Sequence, residues 1–243
     1  MWALFKKEIN GFFSSLTGYI VIVVFLLANS LFMWVFPSNF NVLDNGYANI
    51  EPLFIIAPWI FLFLVPAITM RMFADEKQSG TIELLFTRPI SDFQIIFAKY
   101  LASVVLVLLA ILPTLVFFYS VYQLGSPVGN IDIGGTWGSF IGLFFLAAIY
   151  ASIGLFSSSL TNNQIIAFII AVTISFFMFK GFDSINSLGI FSSINTFIIN
   201  LGINEHYNSM SRGVIDSRDI IYFISVIGLF LLITKTVLQS RKW

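Results

Sequence analysis

Six stretches of the chain are long and apolar enough to cross a lipid bilayer, and this feature restricts the fold more than any other. A helix needs about 20 apolar residues to span the hydrocarbon core. The sequence therefore predicts an all-α integral membrane protein with six transmembrane helices. It shows no internal repeat and no soluble domain, so we expect residues 1–243 to form one transmembrane domain. The predicted spans are roughly Gly18–Phe36, Pro52–Met70, Tyr100–Tyr122, Trp137–Ser158, Gln164–Gly181 and Ile220–Leu238.

The composition agrees with a membrane location and excludes several classes of function. Hydrophobic residues make up 58% of the chain and charged residues 10%, whereas a soluble domain carries about 25% charged residues. The formal net charge is zero and there is no long basic run, so nothing supports nucleic-acid binding. With no Cys and a single His, His206, the chain offers no thiolate or His-based metal site. We expect neither a metal nor a cofactor.

The distribution of Lys and Arg predicts the orientation. Gly18–Phe36 is too long for a signal-peptide core and lacks a cleavage motif, so we expect an uncleaved first span. With a cytosolic N-terminus, nine Lys and Arg residues fall on the inner side and three on the outer side. The even number of spans places Arg241 and Lys242 inside as well. The prediction is a multi-pass protein of the cell inner (plasma) membrane with both termini in the cytosol.

The first 16 residues form an amphipathic pattern. Lys6, Lys7 and Asn10 lie off an apolar stripe of helical spacing, with the lysines placed to face anionic headgroups. This pattern predicts an interfacial helix on the inner leaflet; the alternative is a plain cytosolic extension of the first span. The stripe consists of Trp2, Phe5, Ile9, Phe12 and Leu16.

Residues 71–99 form the only sizeable loop on the predicted inner side. Gly80 breaks the helix that leaves span two, Thr81 can cap a short helix, and Pro89 ends it. Ser91 and Gln94 match a capping box, which predicts a new helix that continues into span three. The loop is thus a short helix held between two long ones.

The short helix carries an apolar cluster, Leu84, Leu85 and Phe86, among charged residues. At the inner face of the membrane such a cluster has little lipid or protein core to cover it, which indicates a protein docking site. The alternative is a solvated, self-packed loop. Glu83 is a candidate for a charged or capping contact with the partner, and its alternative is a solvated carboxylate.

Residues 182–219 form the longest outer segment. Apolar residues recur at helical spacing over 190–203, which is shorter than a span and suits an interfacial or re-entrant helix. His206 follows and is expected to be a surface or packing residue. Asp219 stands at the first turn of span six, where it suits the helix dipole.

Several motifs are missing. No phosphate-binding G-x-x-x-x-G-K-[ST] or catalytic signature occurs, and no Asp, Glu, Arg or His lies mid-span. A transporter with this sequence would draw its energy from another subunit. Pro58, Pro66 and Pro113 predict kinks in spans two and three. Span four has a close-packing face of small residues, namely Gly138, Gly142, Ala147, Ala148, Ala151 and Gly154.

The inner loop resembles the loop after the second span in ABC-2 type ABC-transporter permeases. The hydropathy and the amphipathic start are similar to that family over the whole chain. The residues Ser211–Asp216 and Asp219–Tyr222 resemble its gliding-motility-associated subgroup. The residues that carry the family resemblance are Glu76, Gly80, Thr81, Glu83, Leu84, Leu85, Arg88 and Pro89.

The resemblance implies the membrane half of an ATP-driven transporter, expected to be an exporter, without catalytic residues of its own. A separate ABC ATPase subunit would bind the loop as a coupling helix, and a second permease half, identical or different, would complete the channel. A membrane-anchored extracytoplasmic subunit is implied for the gliding subgroup. One alternative function is an assembly or anchoring subunit that binds an ATPase without moving a solute. An intramembrane enzyme is disfavoured because mid-membrane catalytic residues are missing.

Overall fold

The computed structural model describes residues 1–44, 46–87, 89–187 and 199–240. Within these ranges every regular element is a helix, and the predicted all-α fold is confirmed. The α-helices are α1 (Trp2–Phe13), α2 (Leu16–Ser30), α3 (Glu51–Thr69), α4 (Arg71–Gln78), α5 (Ile82–Phe86), α6 (Asp92–Ile111), α7 (Leu115–Leu124), α8 (Ile133–Leu160), α9 (Gln164–Phe176), α10 (Phe182–Ser187), α11 (Ile203–Ser211) and α12 (Ser217–Gln239).

Six of the helical stretches are long and apolar enough to cross a membrane, as predicted. Spans two and three are longer than expected, with 28 and 33 residues. At about 1.5 Å per residue they reach about 42 and 50 Å, whereas the hydrocarbon core is about 30 Å thick. Their charged ends therefore stand outside the hydrocarbon. The spans are Gly18–Val35, Glu51–Gln78, Asp92–Leu124, Ile133–Leu160, Gln164–Ser187 and Ser217–Gln239.

Span four, α8, is the centre of the bundle. It packs against α3, α4, α6, α9, α11 and α12. In its apolar stretch 78% of the residues are buried, against 22% in spans one, five and six. Most residues of spans one, five and six are thus half-buried or exposed, and these spans present apolar side chains to whatever surrounds the chain.

The small residues of α8 make this central position possible, as the sequence predicted. A Cβ added at Gly154 would overlap Oγ1 of Thr69, so the Thr69 side chain of α3 packs directly against the backbone of α8. A Cβ at Gly138 would lie 2.7 Å from the Cα of Gly213, which has a φ of +83°. Glycine is required where two backbones approach this closely.

The prolines differ in effect. α3 runs unbroken through Pro58 and Pro66, and the helix of span two is interrupted only at Met70. Pro113 lies in a 3₁₀ turn, Leu112–Thr114, that separates α6 from α7. The helix of span three is therefore interrupted at its proline, while α3 is continuous at both of its own, and the predicted kinks stay predictions.

Both ends of the described chain lie on one face of the bundle, which we call the N-terminal face. α1 packs on α6, and the Gln239 amide donates to the Asp92 carboxylate across 3.3 Å. On the opposite face α11 lies over the ends of α3 and α8, where Tyr207 donates to the carbonyl of Phe54 across 2.7 Å. An even number of membrane-length helices, six within the described residues, accounts for both ends lying on the same face.

Some predicted features lie outside the described residues. These are Arg88 of the inner loop, Arg241 and Lys242 of the C-terminal tail, and residues 188–198 of the outer amphipathic segment. Whether 190–203 forms an interfacial or a re-entrant helix stays open.

Candidate functional site

Four charged side chains meet at the N-terminal face, and we call them the charge network: Lys7, Glu8, Glu76 and Lys99. The Lys99 Nζ lies 2.6 Å from Oε1 of Glu8 and 3.1 Å from Oε1 of Glu76. The Lys7 Nζ lies 2.7 Å from the same Glu76 oxygen. Two cations and two anions thus connect α1, α4 and α6, three elements that are distant in sequence.

Lys99 is fully buried, and its surroundings explain how a buried charge is tolerated. An ammonium has three N–H donors, and the Lys99 donors meet Glu8, Glu76 and the carbonyl of Met72 at 2.7 Å. The ring of Phe73 lies 5.2 Å from its Nζ and adds a cation–π contact. A buried ion pair is tolerated only when its hydrogen bonds are satisfied in this way.

Lys7 stays charged in the network. Its partial burial lowers the pKa, but the hydrogen bond and the charge of Glu76, together with those of Glu8, outweigh this effect, and the pKa is raised above the usual lysine value. Lys7 is therefore protonated throughout the neutral range. The second oxygen of Glu76 is buried and has no hydrogen-bond partner among the described residues.

Side chains also fasten α4 to spans four and five. The Ser158 Oγ accepts from two backbone amides of α4 and donates to the carbonyl of Met70 across 2.9 Å. The Lys77 Nζ donates to the backbone carbonyl that follows Ser158, and the Gln164 amide donates to the Asp75 carboxylate. A displacement of α4 would therefore reach spans four and five through these contacts, and span three through the ion pair of Glu76 with Lys99.

The turn after α4 depends on glycine. Gly80 has a φ of +70°, a conformation that L side chains rarely adopt. The expected Thr81 side-chain cap of α5 is not made; its hydroxyl lies 2.9 Å from the Ser79 hydroxyl instead, because the backbone of Thr81 is itself helical. The capping box of Ser91 and Gln94 is formed as predicted and starts α6.

Among the side chains of α5 whose exposure the structure describes, Leu84 is the exposed apolar one. Leu84 is 67% exposed, whereas Leu85 is half-buried against the core, so the two predicted docking residues have different surroundings. Glu83 and Pro89 are exposed. The exposed Leu84 borders a groove of about 330 Å³ between α1 and α5. The groove is lined by Ala3, Leu4, Lys7, Glu76, Thr81, Leu84, Leu85 and Ile90.

The predicted stripe on α1 is divided between the bundle and the surroundings. Phe5 and Phe12 are half-buried against the core, Ile9 is half-buried, and Trp2 is 66% exposed. Lys7, expected to face lipid headgroups, pairs with Glu76 instead. The helix itself is present, and its position in the membrane interface stays a prediction.

Sequence reasoning did not single out Glu8 as a site residue. It is the one acidic residue of α1, next to Lys6 and Lys7, and this contrast is the signal that could have drawn attention to it. Within the described residues no group of three or more His, Asp and Glu side chains is arranged to hold a metal ion. The chemistry of this face is ion pairing and apolar contact.

A six-span helical bundle with a buried charge network beneath a protruding helical loop defines a polytopic membrane protein. A family model described as ABC-2 family transporter protein matches residues 2–237. The chain therefore belongs to the ABC-2 transporter family and is a permease subunit of an ABC transporter. Members of this family are membrane subunits that work with an ABC ATPase, which carries the ATPase activity on a separate chain. No curated protein matches the sequence.

Proposed function

We propose that the N-terminal face is where the ABC ATPase binds, and that α5 is the coupling helix. The observation that carries this proposal is the position of α5 between α4 and α6, with Leu84 exposed at its surface and Glu76 at its base in the charge network. Apolar side chains exposed among charges are typical of protein docking sites. The groove beside Leu84 offers room for one side chain of the ATPase.

The charge network would transmit movement of α5 into the bundle. Force on α5 reaches α4 through the Gly80 turn, and Glu76 passes it to α6 through Lys99 and to α1 through Lys7. The contacts of α4 with Ser158 and Gln164 extend the path to spans four and five. In this mechanism Glu83, which is exposed, contacts the ATPase and takes no part in catalysis.

The orientation supports the same assignment. Nine of the twelve Lys and Arg residues fall on the N-terminal side of the predicted topology. We therefore propose that the N-terminal face is cytosolic, where ATP is available, and that the membrane is the cell inner membrane. α1 would lie at the inner leaflet with Trp2 and the outward parts of Phe5, Ile9 and Phe12 at the acyl boundary.

The complete transporter would contain two permease halves. Spans one, five and six carry exposed apolar side chains, so a second half, identical or different, has helices to pack against. We propose export as the direction of transport. The resemblance of Ser211–Asp216 and Asp219–Tyr222 to the gliding-motility permease subunit GldF supports a place in that subgroup, together with a membrane-anchored extracytoplasmic subunit.

Co-purification with the cognate ATPase in mild detergent tests the docking proposal. Leu84→Ala should reduce the amount of ATPase recovered, because truncating a buried anchor at an interface typically costs about 1 kcal/mol or more. Val128→Ala is the matched control, since Val128 is 62% exposed on the opposite face. Equal recovery from both variants and from wild type would show that α5 is an ordinary connecting segment.

A second measurement separates docking from coupling. Glu83→Ala should retain the ATPase but lower substrate-dependent activity in reconstituted vesicles, since its carboxylate is exposed and contributes no packing. If the wild-type complex bound the ATPase and moved no solute at all, the chain would instead be an anchoring subunit.

A further inference from the structure

A histidine joins three segments of the chain on the face opposite the N-terminus. The Nδ1 of His206, on α11, lies 2.7 Å from Oδ1 of Asp219 on α12, and its Nε2 lies 2.9 Å from the carbonyl oxygen of Asn200. The ring stacks on Tyr222 with centroids 3.9 Å apart. The Tyr222 hydroxyl donates to the carbonyl of Leu201 across 2.7 Å. We call these five residues the His206 clasp.

The hydrogen bonds of the clasp require one proton more than a neutral histidine and a carboxylate provide. The Asn200 carbonyl can only accept, and an ionised carboxylate can only accept, so each ring nitrogen needs its own hydrogen. A neutral imidazole has one N–H. Both bonds therefore form when His206 is an imidazolium, or equally when the extra proton lies on Asp219 and His206 accepts it at Nδ1.

The surroundings leave Asp219 as the ionic partner of His206. The Asp219 side chain is 8% exposed, and its second oxygen has no hydrogen-bond partner among the described residues. Most other titratable groups on and around α11 pair elsewhere or are exposed. Lys180 pairs with Asp183, Asp216 caps α12, Tyr207 donates to the carbonyl of Phe54, and Glu205, Arg212 and Arg218 are exposed. The Tyr150 hydroxyl is buried in α8 and has no hydrogen-bond partner among the described residues.

We propose that His206 and Asp219 form a proton-operated clasp that fixes the segment before α11 to span six. With the extra proton bound, both ring nitrogens hold their partners and the clasp is closed. When the proton leaves, a lone pair on one ring nitrogen faces an acceptor oxygen, and the bond to Asn200 is lost. Of the clasp's bonds to this segment, the one from the Tyr222 hydroxyl to the carbonyl of Leu201 then remains. Falling pH closes the clasp, and rising pH opens it.

Two features make the proposal testable in the intact protein. The chain has one His, so selective ¹⁵N labelling gives the ring signals of His206 alone, and it has no Cys, so single cysteines carry a nitroxide at chosen sites. The measurement uses lipid nanodiscs between about pH 5 and pH 9, the range in which histidine ordinarily titrates. Asn200→Cys reports on the clasp, and Ser217→Cys, exposed at the start of α12, is the control.

At low pH we expect both ring nitrogens to be protonated, or Nε2 alone if the proton lies on Asp219, and the nitroxide at 200 to be immobile. As the pH rises the nitroxide should gain mobility with the same midpoint as the change in the ring signals, while the one at 217 does not change. Two results would overturn the proposal. One is a nitroxide at 200 whose mobility does not change when the ring signals of His206 change. The other is a ring that is neutral and forms no hydrogen bond at Nε2 at any pH.

Variants distinguish a proton-operated clasp from ordinary packing. In Asp219→Asn, a neutral His206 can accept from the new amide and still donate to Asn200, so the clasp should remain closed at every pH. In His206→Ala the label at 200 should be mobile at every pH. Glu205 is a neighbouring exposed acid, so in Glu205→Gln the mobility of the label at 200 should depend on pH as it does in wild type. If Asp219→Asn kept the pH dependence of wild type, Asp219 would not be the proton partner.

Discussion

Glu8 and Lys99 are 91 positions apart in the sequence, yet their Oε1 and Nζ atoms lie 2.6 Å apart. The contact joins the N-terminal helix to the start of span three, and Glu76 joins both to the end of span two. The Lys99 ammonium is fully buried and lies against both of these carboxylates. The elements that flank α5 are therefore held by charge as well as by packing.

We expect the removal of Lys99 to lower the free energy of unfolding markedly. Lys99→Met leaves Glu8 and Glu76 largely buried with only Lys7 to balance them, and breaking a buried pair from one side costs about 3 kcal/mol or more. Denaturant unfolding in detergent, followed by Trp fluorescence, measures the loss. Lys99→Met with Glu8→Gln restores the charge balance and should be less destabilised than Lys99→Met alone. Lys6→Met is the control, because Lys6 is exposed. If Lys99→Met were as stable as Lys6→Met, the network would have no structural role.

The raised pKa of Lys7 predicts how its contribution depends on pH. A group whose folded pKa lies above the unfolded one stabilises the fold below the unfolded pKa, and this contribution disappears as the pH rises through the folded pKa. Lys7→Gln should therefore be less stable than wild type at neutral pH, with the difference closing above about pH 10.4. Melting temperatures of both proteins across that range test this. A difference that stays constant with pH would assign the effect to packing rather than charge.

The contact of Gly154 with Thr69 predicts a size limit in the centre of the bundle. Gly154→Ala should destabilise the protein by about 1–3 kcal/mol, because the new methyl group overlaps Oγ1 of Thr69. Gly228→Ala is the matched control in span six, where a Cβ meets no atom within 4 Å. Gly228→Ala should leave the free energy of unfolding unchanged or raise it slightly, since alanine favours helix formation. Thermal unfolding of the two variants side by side decides the matter.

Single cysteines test the proposed orientation, because the chain has none of its own. In right-side-out cells or vesicles, a membrane-impermeant thiol reagent should label Tyr47→Cys, which replaces a side chain 80% exposed in the first loop. It should label Ser79→Cys only after the membrane is opened. Labelling of Ser79→Cys from outside would reverse the orientation, place α5 on the side without ATP and contradict its proposed role as the coupling helix.

The spans could be predicted from sequence because length and hydropathy are local properties. The capping box of Ser91 and Gln94 and the small-residue face of α8 were likewise readable, since each depends on neighbours at fixed spacing. These features show where helices begin and which of their faces pack closely. They do not show which distant charges meet.

The charge network and the His206 clasp were not readable in this way. Lys7 carries the same charge whether it faces a headgroup or Glu76, and only the packing of α1 on α6 decides between them. Asp219 was interpreted through the dipole of its own helix, whereas its partner lies on α11. Thr81 does not cap α5 because its own backbone is already helical, which the residue type does not reveal.

The charge network also bears on how the chain enters the membrane during synthesis. Glu8 precedes span one, Glu76 ends span two, and Lys99 follows near the start of span three. The three can meet only if the first two spans have inserted as a hairpin with both ends on the same side. Because Lys99 follows Glu8 and Glu76 in the sequence, the network can form only after the start of span three has been synthesised and lies on the same side as the ends of that hairpin.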